Sequence, residues 1–253
     1  MNFTTKELIT MGIFDAIETD ETIEEATDSV GGFTVLESAI YNFTIERAFV
    51  TLSVGKAMAL NVHFKGTGNT VLRQSFWVTS GEAKGCKNFY INQKTGKKHY
   101  LPGYNQANAL CLIASGKELK MMDTKKATVN LYDSAQHKEV PTEVDLLSDL
   151  TGKVILAGVI NQTVDKRAKN PNTGTYEPTG ETKSENEVDK LFRAKDGLTV
   201  VEIKAQKTEP LFKEKWITNW EGKVKDKTSK VAGIPGAPKR ETGKQAPATS
   251  LFA

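Results

Sequence analysis

Cysteine is almost missing from this 253-residue chain: Cys86 and Cys111 are the only two, and they have no CxxC spacing. That excludes a disulfide-stapled scaffold and indicates the reduced thiols of a cytosolic compartment. Histidine is scarce as well. His63, His99 and His137 stand at no metal-ligand spacing from one another or from the cysteines, so no zinc motif is present. The glycine clusters at 66–68 and 81–85 lack the GxxxxGK[ST] pattern of a phosphate-binding loop. No Ser/His/Asp or Cys/His catalytic set can be pointed to, and internal repeats are not evident. An apolar run of about 18 residues is absent, as is a signal-peptide pattern, so a soluble intracellular protein is expected.

What remains is ample for a core. The chain is 38% hydrophobic and 26% charged, the balance of a globular domain rather than a disordered one. Its net charge of +3 hides a division. Residues 1–37 hold Lys6 against Glu7, Asp15, Glu18, Asp20, Glu21, Glu24, Glu25, Asp28 and Glu37, a net of −8, so the rest carries +11. An acidic arm on a basic body implies a surface that binds a polyanion.

The basic charge is concentrated in one window. Lys84, Lys87, Lys94, Lys97 and Lys98 follow one another with no Asp or Glu between Lys84 and Lys98. Among and around them lie Trp77, Phe89, Tyr90, His99, Tyr100 and Tyr104. Cations attract a phosphate backbone and flat rings stack on bases, which is the combination a single-stranded nucleic acid site requires. The turn Lys94-Thr95-Gly96-Lys97 between FYIN and KHYL predicts that this window is a projecting hairpin.

Strand signals precede it. Tyr41, Phe43 and Ile45 alternate with polar residues; so do Met58, Leu60, Val62 and Phe64, and then Leu72, Phe76 and Val78. Period two over three runs predicts an antiparallel meander with one wet face. His63, Lys65, Arg73 and Trp77 then share the face opposite the core. NQANALCLIASG reads as a helix with Asn105 as N-cap and Gly116 at its stop. Strands at ATVNLYD, EVPTEVDLL and KVILAGVINQTV follow. Three strands, a helix, then more strands is the element order of an OB-fold, a small Greek-key barrel that binds oligonucleotides on its strand 2–3 face.

The expected organisation is therefore mainly β with accessory helices. An acidic arm (1–32) precedes an OB-fold-like antiparallel barrel (33–168) that carries the basic hairpin. A Pro/Gly/Thr-rich loop (169–184), a helical appendage packed on the barrel (185–222) and a basic disordered tail (223–253) follow. Capping boxes at Ser184-x-x-Glu187 and Thr199-x-x-Glu202 open two of the appendage helices, at ENEVDKLFRAKDG and VVEIKAQ, and PLFKEKWITNW forms a third. Asp196 with Glu202-Ile203-Lys204 matches the carboxylate and Glu-x-Lys arrangement of metal-dependent nucleases, so an Mg-dependent nuclease is one alternative.

Several blocks also resemble a known family. TVLESAIYNFTI, RQSFWVTSGEAKGCKN, KKHYLPGYNQANALCLIASGKEL, GVINQTVDK, PTGETKSENEVDKLFRAKDGLTVVEI and FKEKW are similar, in order, to the single-stranded-DNA-binding proteins of podovirus-type bacteriophages. The resemblance runs from about Thr34 to Trp216. It implies an OB-type fold, a role in phage DNA replication and recombination, and the cytoplasm of the infected bacterium. Many such proteins end in an acidic tail closed by Phe. Here Lys239, Arg240 and Lys244 make the C-terminus basic, Phe252 stands near its end, and the acids lie in the N-terminal arm.

The expectation is a non-catalytic protein, without cofactor or metal, that coats and protects single-stranded DNA regardless of sequence. Phosphates would meet Lys65, Arg73, Lys84, Lys87, Lys94, Lys97 and Lys98, and bases would stack on Trp77, Phe89, Tyr90 and Tyr100. His63 and His99 are lesser candidates. Phe89 and Tyr90 are adjacent in a strand and so face opposite ways. Phage or host replication and transcription proteins are further expected partners, through the acidic arm or the C-terminal tail, and no membrane is. Residues 15–28 are read as a mimic that competes with the strand. A strand-annealing recombination protein is the other alternative.

Overall fold

The computed structural model describes residues 35–133, 136–171 and 173–229. The acidic arm and the last residues of the tail lie outside them. Among the described residues ten strands form in chain order: β1 (Ala39–Leu52), β2 (Met58–Lys65), β3 (Val71–Trp77), β4 (Phe89–Ile91), β5 (Lys98–Tyr100), β6 (Lys125–Asp133), β7 (Lys138–Leu146), β8 (Val154–Lys169), β9 (Tyr176–Arg193) and β10 (Val224–Asp226). Three α-helices join them: α1 (Pro102–Ser115), α2 (Val200–Lys204) and α3 (Leu211–Trp220). None is long and apolar enough to cross a membrane.

Eight strands make one open sheet with the path β10-β8-β1-β2-β3. It is antiparallel except where β10 runs parallel to β8. The long strand β1 organises it, pairing with β2 along one edge. Its other edge meets β8 through Ala39–Thr44 and β7 through Phe49 and Val50. β9 lines β8 over nearly its whole length, and β6 pairs with β7. No ladder joins β3 to β9, but the Val188 N–H donates to Gln74 Oε1 at 3.0 Å across that gap.

The core follows from the alternation. Phe43, Ile45, Leu60, Val62 and Phe64 are fully buried, with Leu72, Phe76 and Val78 nearly so. Ala107, Leu110, Cys111 and Ile113 of α1 close the same core, with Ile155, Ala157, Val159, Val188 and Leu191. Burial pushes the Cys111 thiol up to about 12, leaving it a packing group. α1 begins earlier than expected. Leu101 is its N-cap and Pro102 its first residue, so Asn105 lies in the first turn. Proline fits there because its missing N–H would have had no helical partner. Gly116 closes the helix in the left-handed region.

Two parts of the expected appendage differ. Residues 176–193 are strand, not loop followed by helix, and Ser184 caps nothing; Ser184 pairs with Thr163 in the ladder. A bulge explains the misleading pattern. Gly158 opposes Lys190 and Val159 opposes Val188, so Asp189 is an extra residue. Val188 and Leu191 therefore reach the same core across a three-residue step that imitates helical spacing. The bulged Asp189 accepts from Trp216 Nε1 at 2.8 Å. Trp216 in turn lies on Gly158, where a Cβ would come within 2.7 Å of the indole. That contact seats α3 on the outer side of β8. The second difference is β10, a strand within what reads as tail. The Thr199–Glu202 capping box forms as expected, with both reciprocal hydrogen bonds present.

Candidate nucleic-acid interface

With Leu60, Val62, Phe64, Leu72 and Phe76 turned inward, β2 and β3 present their alternate residues to solvent. Their register sets Ala59 against Trp77, Asn61 against Ser75, His63 against Arg73 and Lys65 against Val71. Asn61 ties this face together, donating to Thr51 Oγ1 at 2.8 Å and accepting from the Ser75 hydroxyl at 2.6 Å. Trp77 is 50% exposed, so it is no core residue. Behind it Gly103 of α1 touches the strand backbone. A Cβ there would lie 2.2 Å from the Trp77 carbonyl oxygen.

Sequence reasoning missed Arg47. Strict alternation from Phe43 and Ile45 would turn it inward, but a bulge between Ile45 and Arg47 reverses the phase. Arg47 opposes His63 on β2, which opposes Arg73 on β3, giving a row of three nitrogenous side chains across three strands. The same phase change turns Phe49 outward, where Val129 and Val144 of the β6–β7 ribbon bury it. Phe49 also meets His63 edge-on at 5.5 Å. The consecutive charges Glu46-Arg47 within an apolar strand were the available signal. Burial holds the His63 pKa below its ordinary value, and the positive charges of Arg73 and Arg47 add to the effect.

β4 and β5 pair only with each other, so the basic window is a hairpin, as expected. Asn92 shapes its turn: its side-chain oxygen accepts from Lys94 N at 2.9 Å and its carbonyl from Gly96 N at 2.8 Å. Gly96 has φ +68°, a conformation glycine adopts without strain. Lys94 and Lys97 sit at this tip. Phe89 opposes Tyr100, with Lys98 Nζ 4.9 Å and Lys87 Nζ 5.8 Å from its ring centroid. Tyr90 stacks on His99 on the opposite face, with centroids 5.7 Å apart. Tyr100 also contacts Tyr104 of α1 at 4.6 Å. Lys84 lies in a 3-10 turn, Glu82–Lys84, that leads into the hairpin.

The expected residues thus form two groups. His63, Lys65, Arg73 and Trp77 share the sheet face. Lys87, Phe89, Tyr90, Lys98 and Tyr100 belong to the hairpin and its approach. The Ser80 N–H donates to the Lys87 carbonyl at 2.8 Å and the Lys87 N–H to the Ser80 hydroxyl oxygen at 2.9 Å, joining that approach to the segment leaving β3. Two grooves flank the hairpin. One, of about 1150 Å³, is lined by Lys87, Phe89 and Tyr100 together with Met58 and Tyr104. The other, of about 990 Å³, lies between Tyr90 and His99 on one side and α2 and α3 on the other.

Charge separates this region from the rest. Residues 47–117 carry ten cations (Arg47, Lys56, Lys65, Arg73, Lys84, Lys87, Lys94, Lys97, Lys98, Lys117) and one acid, Glu82, which Lys56 engages at 2.8 Å. Among the described residues, none of Lys65, Arg73, Lys84, Lys87, Lys94, Lys97 and Lys98 forms an ion pair.

The carboxylates of the nuclease alternative are occupied elsewhere. Asp196 accepts from Arg193 Nε at 3.0 Å, and that guanidinium holds its carboxyl below the usual range. Burial pushes the Glu202 carboxyl up, but hydrogen bonds from the Thr199 and Phe212 backbones outweigh it and leave the pKa lowered. Among the described residues no three His, Cys, Asp or Glu side chains cluster as metal ligands do. No protein-family model, curated protein or solved structure matches the chain.

Proposed function

We propose that the protein binds single-stranded DNA without regard to sequence, through the outer face of β2–β3 and the β4–β5 hairpin. The observation that carries this reading is the run from Lys65 to Lys98, where seven cations with no ion pair among the described residues stand among exposed rings and the one acid, Glu82, is already engaged by Lys56. Cations without carboxylate neighbours keep their full attraction for phosphate, and exposed rings supply a sequence-tolerant platform for bases. Lys65, Arg73, Lys84, Lys87, Lys94, Lys97 and Lys98 take the backbone, joined by Arg47, whose guanidinium also lies 4.0 Å from Glu46. Trp77, Tyr90 and Tyr100 take bases, while Phe89, already flanked by Lys87 and Lys98, holds those lysines in place.

An OB-type reading of the sheet fits this role. β1 pairs with β2 and β8, β2 with β3, and β8 with β9; α1 lies in sequence between β3 and β8, and the Gln74–Val188 contact brings the last strand of the set to the third. The β6–β7 ribbon is then an insertion that walls one side of the binding face through Phe49. Coating single strands during phage replication and recombination, in the cytoplasm of the infected bacterium, is the biological setting this reading implies. The chemistry is non-catalytic.

Incubating the pure protein with labelled single- and double-stranded oligonucleotides, with and without Mg²⁺, tests the reading. A shifted, undegraded single strand and an unshifted duplex are expected. Strand degradation in Mg²⁺, or equal retardation of both forms, would overturn it.

A further inference from the structure

The second groove beside the hairpin contains cations that the proposed interface does not include. Lys190 of β9, Lys204 of α2 and Lys215 of α3 line it, separated in sequence but brought to one cleft. None of the three forms an ion pair among the described residues. Glu202, a carboxylate on the same lining, spends its oxygens on the Thr199 and Phe212 backbone N–H groups and the Thr199 hydroxyl. Apolar surface lies beside these charges. Phe212 is 38% exposed with Lys190 Nζ 5.3 Å from its ring centroid, and Tyr90 faces it from the hairpin.

We infer that the single strand does not end at the hairpin but continues into this groove, with Lys190, Lys204 and Lys215 on its phosphates and Phe212 beneath a base. Three features select a nucleic acid strand as the occupant. Three lysines against the one carboxylate, Glu202, leave the groove's lining net positive, so it attracts a polyanion. A ring lies among them, as stacking needs. The groove is also continuous with the proposed interface, because Tyr100, Asn105, Asn108 and Lys204 line both grooves. The volume of about 990 Å³ gives room for more than a lone phosphate. The inference rests on the single-strand reading and deepens it by extending the strand's path past the sheet face. Oligonucleotide length then becomes the discriminating variable: a short strand is held by the sheet face and hairpin alone, and a longer one uses both.

The test compares the full chain with the variant Lys190→Ala/Lys215→Ala, which spares Lys204 because it lines both grooves, using fluorescence anisotropy of oligothymidylates of about 6 and about 16 nucleotides, lengths within the range such sites cover. The variant should bind the short strand as the parent does. For the longer strand it should bind about tenfold more weakly, with a salt slope shallower by about 1.4, because each lost phosphate contact removes about 0.7. Equal affinities of parent and variant at both lengths would overturn the extended path and leave the single-strand reading intact. A parent protein that binds neither oligonucleotide would overturn the single-strand reading itself. Equal weakening at both lengths would place the lysines in the primary site, against the inference. A polyglutamate peptide that binds the parent but not the variant, with long-strand affinity unchanged, would assign the groove to an acidic protein segment instead. The single variant Lys215→Glu on α3, which leaves the β9 ladder untouched, should reproduce the length-selective loss if the double variant melts early.

Discussion

The β2–β3 face with its hairpin and the distal β8–β9 ribbon are both exposed β structure carrying aromatic rings, and they differ in how their charges are arranged. Trp77 is 50% exposed and Tyr176, on the ribbon, is 65% exposed. Residues 161–187 hold Lys166, Arg167, Lys169 and Lys183 against Asp165, Glu177, Glu181, Glu185 and Glu187. Lys166 meets Glu181 at 2.9 Å, Lys183 meets Glu185 at 2.9 Å, and Lys227 reaches Glu187 at 2.6 Å. Such pairs contribute little to stability, but they cancel the field a polyanion would feel. The β6–β7 ribbon behaves alike, with Lys126 between Asp145 at 3.2 Å and Glu143 at 3.6 Å. An exposed ring therefore does not distinguish a binding surface. On the proposed function, a ring among uncompensated cations does.

Reversing charge tests that distinction with the largest effect. Lys94→Glu/Lys97→Glu/Lys98→Glu should lower single-strand affinity about a hundredfold or more at low salt and flatten the salt slope by about 2. The matched ribbon variant Lys166→Glu/Arg167→Glu/Lys169→Glu should cost less than about a fifth of that loss on the same assay. Comparable losses would dissolve the comparison. Next in size is the ring. Trp77→Ala should weaken binding by roughly 1–3 kcal/mol, about 5- to 150-fold, without lowering the melting temperature appreciably, because the indole is half exposed. Tyr176→Ala should leave affinity unchanged.

A single cation gives a smaller change. Arg47→Ala, like Arg73→Ala, should make the salt slope shallower by about 0.7. Arg47 is the sharper case, because it faces the strand only if the bulge in β1 sets its direction. The smallest effect is expected from pH. Burial, Arg73 and Arg47 depress the His63 pKa, so this ring is neutral in the free protein at pH 7. The free fold should then lose a little stability as pH falls below about 6.5, where the unfolded histidine charges and the folded one resists. A phosphate beside His63 stabilises the charged form, so binding takes up a proton and tightens as pH falls from about 7 toward 5. His63→Gln should abolish that component, measured as proton uptake in buffers of different ionisation enthalpy.

Local patterns made much of this legible in advance. Leu60, Val62 and Phe64 alternate cleanly, and that alone placed His63 and Lys65 outside. The hairpin was visible because its turn and both strands lie within a few residues of one another. What escaped were the bulges and the distant pairings. One extra residue at Glu46 reverses the direction of Arg47, and another at Asp189 makes a strand resemble a helix. The pairing of β1 with β8 joins Ala39 to Val159, a contact no local periodicity encodes. The groove lined by Lys190, Lys204 and Lys215 was hidden for the same reason, since β9, α2 and α3 meet the hairpin only in the folded chain.

A salt titration of oligothymidylate affinity bears most directly on the claim that uncompensated cations on the sheet face and hairpin hold the strand. With about five of them on phosphates, log K should fall against log salt with a slope near −3.5, because each contributes about 0.7 on single strands. A slope near zero would contradict the claim, however tightly the strand binds.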